Sequence, residues 1–206
     1  MADSIPTKTG TPAVIRAVLV VALFLVIILI PLRYAYNQQA RLRNFRVVEP
    51  GVLYRSGQLT SNGLRNLVRE LGIRTVVNFR AEETGPQKDV EEEALCKELG
   101  LNYERVVYRT WSSDSGPPQA EKSVNEYFAI MDRYKNKGPM LVHCFAGKHR
   151  TGAFVALYRM EYQGWSNAEA LTEMQAVGYE GIANEDDVRG YLERYVPRNK
   201  RKAIEK

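Results

Sequence analysis

The feature that most constrains this chain is residues 139–160, PMLVHCFAGKHRTGAFVALYRM. An apolar run of strand character breaks into a short loop of glycine and basic residues, and an apolar helical run begins where the loop ends. A strand feeding a helix through such a loop aims backbone N–H groups and the positive end of a helix dipole at one point. That point binds a tetrahedral oxyanion. The same donors lower the pKa of a cysteine at its base, because they stabilise the thiolate. Cys144 occupies the base, and Arg150 closes the loop six residues later. A guanidinium fork can hold two phosphate oxygens at once, which an ammonium cannot do in the same way. Gly147 lets the backbone curl around the anion, Gly152 lets the helix pack closely on the sheet, and Thr151 can donate its hydroxyl to a departing sulfur. His143 is placed to brace the loop by hydrogen bonds, a role that overlaps with that of a core histidine at a strand end.

The rest of the chain supplies the sheet and helices that this unit needs. Short strands are expected at Val52–Tyr54, Arg74–Phe79, Asn102–Tyr108 and Pro139–Val142. Helices are expected from Thr60 or Ser61 to Leu71, from Val90 to Leu99, and over 120–134, 151–162, 167–176 and 186–195. Gly72 and Gly100 stand at two helix ends, where a left-handed residue is favoured. Val124, Tyr127, Phe128 and Met131 fall at i, i+3, i+4 and i+7, one face of a helix. Alternation of this kind predicts an α/β fold with a central, mostly parallel sheet flanked by helices.

The N-terminus is different in kind. Ala17–Leu32 is sixteen residues without a charge, and extension back to Ala13 gives a span long enough for a bilayer if Arg16 reaches the interface. The expectation is one uncleaved transmembrane helix, 13–32; the alternative is a cleaved signal peptide, although no small-x-small site follows the run. Lys8 and Arg16 precede the span, whereas Arg33, Arg41, Arg43 and Arg46 follow it, which favours a cytoplasmic C-terminal domain. The formal net charge of +5 sits at the two ends: residues 51–193 carry 17 basic and 21 acidic side chains. That distribution argues against a nucleic-acid partner and places basic segments where anionic headgroups could meet them. Two cysteines and two histidines are too few for a zinc cluster or a disulfide framework, so neither metal nor cofactor is expected.

The stretch His143-Cys144-x5-Arg150-Thr151 resembles the H-C-x5-R-[ST] motif of the protein tyrosine phosphatase superfamily. Tyr54-Arg-Ser-Gly-Gln58 and Gly72-Ile-Arg-Thr-Val-Val-Asn-Phe-Arg80 resemble the opening strands of its compact dual-specificity members, so the likeness runs from about residue 45 to 165. The loop itself is similar to that of an atypical subgroup from plants and fungi. The resemblance implies a cysteine-phosphatase fold, a phosphocysteine intermediate, and substrate contacts from Phe145, Ala146, Gly147, Lys148, His149 and Arg150. It further implies a general acid/base on a loop about thirty residues before the cysteine. Asp114, in Thr110-Trp-Ser-Ser-Asp-Ser-Gly-Pro-Pro118, lies at that distance, outside the W-P-D pattern of larger tyrosine phosphatases. Asp114-Ser-Gly116 would also suit a plain turn, and Asp89 and Asp132 are the rival acids.

The organisation expected is therefore a tail (1–12), an anchor (13–32), a basic juxtamembrane linker (33–46), a phosphatase domain (47–196) and a basic C-terminal tail (197–206). Lys148, His149 and Arg150 together make the loop strongly cationic, which favours a substrate with several phosphates, such as a phosphoinositide or inositol phosphate. A phosphorylated protein remains the other substrate class. The alternatives from other classes are a phosphate-binding module without turnover, and a sulfurtransferase or arsenate reductase. The last needs further shuttling cysteines, and only Cys96 is at hand. Cys96 itself is expected as a small core residue, Glu91–Glu93 as a solvated helix face, and Arg55 and Arg80 as structural ion-pair partners or as part of the phosphate entrance.

Overall fold

The computed structural model describes residues 12–80, 86–112 and 117–204 and divides the chain into two compact units, 1–39 and 40–206. The first unit is carried by helix α1, Ala13–Arg41, with Pro31 inside it. Its segment Ala13–Tyr34 spans 22 residues with a mean hydropathy of 3.2, long and apolar enough to cross a membrane. Helix therefore continues through most of the expected linker.

The second unit is built on a five-stranded sheet in the order β1-β2-β5-β3-β4. The strands are β1 Arg46–Glu49, β2 Leu53–Ser56, β3 Thr75–Asn78, β4 Asn102–Arg105 and β5 Met140–His143. Among the described strands, only β1, paired with β2, runs antiparallel. The mostly parallel sheet expected from the sequence is thus present, with β1 as an added edge strand. β4 ends at Arg105, three residues earlier than expected.

Alternation along the strands assigns the two faces. Leu53, Val77 and Val142 point into one core, with Phe79, Tyr127 and Phe154. Tyr54, Val76 and Leu141 point into the other, with Leu64, Leu67, Leu95 and Cys96. The second core is closed by α2, Ser61–Leu71, and α3, Pro86–Glu98. Thr60 caps α2 through a bond from the Gly63 N–H, and Gly72 ends it at φ +66°, in the left-handed region that suits glycine. The first core is closed by α4, Ala120–Tyr134, and α5, His149–Tyr162, with α6, Asn167–Ala176, and α7, Asp186–Arg194, packed further out. Helix α5 is buried from Thr151 to Met160 without a break, so it has no polar face. Phe79 stacks on its Phe154 at 4.3 Å between ring centroids, tying sheet to helix.

The segment expected as a C-terminal tail forms α8, Arg198–Ile204. Arg198 reaches Asp132 at 2.8 Å and Glu161 at 2.7 Å, so part of the terminal basicity is spent inside the fold.

Candidate active site

Ser56, Asn78 and His143 end β2, β3 and β5 in register, and the chain leaves all three at the carboxyl edge of the parallel sheet. That edge is where open α/β sheets bind ligands. Residues 144–148 form the loop beyond β5, and α5 starts at His149, so the loop lies over the N-terminus of the central helix. Two glycines make this close approach possible. Gly147 has φ +74°, and a Cβ there would lie 2.4 Å from the Gly57 nitrogen. A Cβ on Gly57 would in turn lie 2.9 Å from the Ala146 backbone. The loop is therefore folded down onto the end of β2.

Cys144 is 5% exposed, and its Sγ accepts a hydrogen bond from the Gly147 N–H at 3.2 Å. Burial by itself pushes the thiol up. The hydroxyl and N–H of Thr151, the Gly147 N–H and the charge of His143 outweigh burial and bring its pKa below the ordinary value. Arg55, 2% exposed on β2, donates to the Gly147 carbonyl at 2.9 Å and to that of Lys148 at 3.5 Å. Burial lowers the Arg55 pKa to about 10, which still leaves it charged at neutral pH, and it attracts the thiolate. Gly152 faces Met174 of α6 and the end of Arg55, so the close packing expected against the sheet is instead against a helix and this arginine.

The loop is also held from outside. Asn44, with φ 48°, donates from Nδ2 to the Ala146 carbonyl at 2.7 Å. The Arg43 guanidinium lies 4.1 Å from the Phe145 ring centroid, and the Gln58 N–H bonds the Phe145 carbonyl at 3.0 Å. Arg43 and Asn44, from the expected linker, thus belong to this loop's scaffold, which the sequence did not reveal.

The cationic side chains spread from the loop. Arg150, half-buried in the first turn of α5, stacks over Tyr108 at 4.4 Å. His149 stacks on Tyr179 at 4.3 Å, and the half-buried Lys148 lies along Gly178. Phe145 is exposed at the rim.

Asp114 lies outside the described residues. On its N-terminal side Trp111 is buried against Phe154 and Tyr191. Both rival acids are engaged elsewhere. Asp89 is buried and pairs with Arg80 at 2.5 Å and Arg105 at 3.2 Å. Asp132 pairs with Arg198 and accepts from the Tyr162 hydroxyl at 2.7 Å. Arg80 thus fits the structural ion-pair expectation, whereas Arg55 braces the loop. Glu91–Glu93 is not a uniformly solvated face: Glu92 is 8% exposed and lies 3.0 Å from His143 Nε2. Cys96 sits in the second core, with burial first and Glu92 and Glu93 next pushing its thiol up to about 12.

Comparison with known proteins agrees with this geometry. A family model described as DSP-PTPase phosphatase fused to NAD+ kinase matches residues 35–190. The dual-specificity protein phosphatase TpbA of Pseudomonas aeruginosa is 33% identical over 137 residues, 66% of this chain and 55% of that protein. An inositol diphosphatase of Arabidopsis thaliana is 28% identical over 134 residues, 64% of this chain and 61% of that one. The chain thus spans little more than half the length of the curated relatives it matches. The crystal structure of P. aeruginosa TpbA superposes with a TM-score of 0.60 at 26% identity, covering 79% of this chain and 91% of that one. The catalytic core of the Saccharomyces cerevisiae PP-IP phosphatase SIW14 shares the fold, with a TM-score of 0.58 at 21% identity and coverage of 79% and 91%. The chain belongs to this DSP-PTPase family, as a compact dual-specificity-type member of the protein tyrosine phosphatase superfamily.

Proposed function

We propose that this protein is a cysteine-dependent phosphatase that hydrolyses phosphate monoesters through a phosphocysteine intermediate. The observation that carries this reading is the buried Cys144 sulfur under a helix N-terminus, with the Gly147 N–H at 3.2 Å and Thr151 beside it. The Cys144 thiolate attacks phosphorus while the ester P–O bond breaks. The loop amides and Arg150 balance the equatorial oxygens of the transferring group. Asp114 gives its proton to the leaving oxygen and then takes one from the water that breaks the S–P bond. Thr151 donates to the sulfur as it leaves, and Phe145 to Arg150 form the binding loop. No step calls on a metal, so turnover should persist in excess chelator.

Two substrate classes are in view, and the cations around the loop favour the one with several phosphates. Lys148 and His149 sit beside Arg150 at the start of α5, where additional anionic groups would meet them. The Arabidopsis relative's description as an inositol diphosphatase points the same way. TpbA has been crystallised with phosphotyrosine, which keeps phosphoproteins as the second class. We place the apolar segment of α1 in a membrane as a single-pass anchor, with Arg33, Arg41, Arg43 and Arg46 and the catalytic unit all on the cytoplasmic side. Purified full-length protein in detergent, assayed against phosphopeptides, phosphoinositides and inositol phosphates, tests both points. Turnover of a polyphosphorylated substrate above that of phosphotyrosine is expected, and binding without turnover of any of them would leave only a phosphate-binding module.

A further inference from the structure

We propose that Glu92 is a positioning residue of this site, which pairs with His143 as an imidazolium behind Cys144 and so holds the thiol in its reactive form. This rests on the thiolate reading above and adds to it a residue on α3, away from the motif. The geometry carries it. His143 is 1% exposed, and an oxygen lies close to each ring nitrogen. Nε2 lies 3.0 Å from the Glu92 carboxylate, and Nδ1 lies 3.3 Å from the Cys144 backbone carbonyl. A neutral imidazole would set a bare lone pair against one of these oxygens; the imidazolium meets both with N–H groups and pairs its charge with the carboxylate.

Glu92 is itself held in place. Its carboxylate accepts from Gln58 Nε2 at 2.9 Å, Asn78 Nδ2 at 3.2 Å and the Tyr103 hydroxyl at 3.3 Å. These donors follow or lie on β2, β3 and β4, so one glutamate ties the carboxyl edge of the sheet to the strand that carries Cys144. Burying a carboxylate is costly unless it is matched by hydrogen bonds and charge. Asp89, one turn earlier on α3, is already matched by Arg80 and Arg105. His143 is the ion-pair partner nearest Glu92, with Arg80 contributing more weakly and Tyr103 and Cys96 the other titratable groups that feel its charge. The thiol is faced by His143, Thr151 and the Gly147 amide, and by Arg55 from β2. Burial disfavours charge on both members of the Glu92–His143 pair, and their mutual attraction outweighs it in each: the glutamate is held below, and the histidine above, its ordinary value.

Glu92→Gln keeps the shape and removes the charge. In full-length protein in detergent, the pH dependence of Cys144 alkylation by iodoacetamide, followed by mass spectrometry, should move upward by about one unit or more. The acidic limb of kcat/KM should move with it. A purely structural Glu92 would lower the melting temperature and leave the alkylation midpoint in place, which would overturn the proposal. Alkylation reads the thiolate whether or not the protein turns over substrate, so this failure is distinct from failure of the phosphatase reading. A second measurement needs no variant. The chain has two histidines, so the wild-type imidazole 15N resonances can be assigned with a His149→Gln control. At pH 7 one ring, His143, should be an imidazolium; a neutral His143 ring would overturn the proposal.

Discussion

The two cysteines of this chain are both buried, and their surroundings drive them in opposite directions. Cys96 lies among Leu64, Leu67, Ile73 and Leu95 with glutamates nearby, and its thiol is pushed up to about 12. Cys144 is buried nearly as well, yet its thiol is brought below the ordinary value by Thr151, Gly147 and His143. Burial alone therefore does not decide reactivity. What separates the sites is the supply of donors: α3 presents hydrocarbon and carboxylates to its sulfur, whereas the loop over α5 presents N–H groups and a hydroxyl, with His143 behind them. The first cysteine is a small core residue, as the sequence suggested, and the second is the nucleophile proposed above.

The sharpest way to break this contrast is to exchange the roles. Cys144→Ser should lose all turnover above background, because a serine hydroxyl does not ionise in this loop, while circular dichroism and phosphate binding persist. Cys96→Ala should keep turnover within about twofold and cost about 1 kcal/mol of stability as a small core truncation. Asp114→Asn should come next, slowing alkyl phosphates by about 10²–10⁴ and p-nitrophenyl phosphate by less, since an acidic leaving group needs less protonation. Equal effects on both substrates would place the acid elsewhere. Arg150→Lys should cost about 10²–10³ in kcat, the scale of losing one oriented donor to the transition state. Among the smallest effects, Asn44→Ala should remove the bond to the Ala146 carbonyl, lower stability by about 1 kcal/mol and reduce kcat severalfold as the loop loosens. An unchanged kcat there would make the outer brace irrelevant to catalysis.

The parts of the molecule legible in sequence are those whose causes are local. Helix α2 is announced by Thr60 and stopped by Gly72, and both act within a turn of where they stand. The loop after β5 is announced by its own residues. β1 escaped because four residues, Arg46-Val-Val-Glu49, with only Val48 buried, carry too little alternation to register. Glu92 escaped for a different reason. In the run Glu91-Glu-Glu93 the three side chains are chemically alike, and only the placement of α3 over the sheet edge turns the middle one toward His143. Arg43 and Asn44 were hidden similarly, since their partners Phe145 and Ala146 are about a hundred residues away in sequence. Asp114 follows from the family resemblance, which implies an acid at about its distance from Cys144, and it lies outside the described residues, so its role is a matter for the substitution above.

The donors around Cys144 hold its thiol below the ordinary pKa, whereas Cys96 lacks them. The most direct test is competitive alkylation of wild-type full-length protein by iodoacetamide across pH 4 to 10, with both cysteines quantified in the same digest. Cys144 should react with a midpoint clearly below the ordinary thiol pKa of about 8.5, and Cys96 should remain unmodified throughout. A Cys144 midpoint at or above that value, or parallel modification of the two cysteines, would contradict the account.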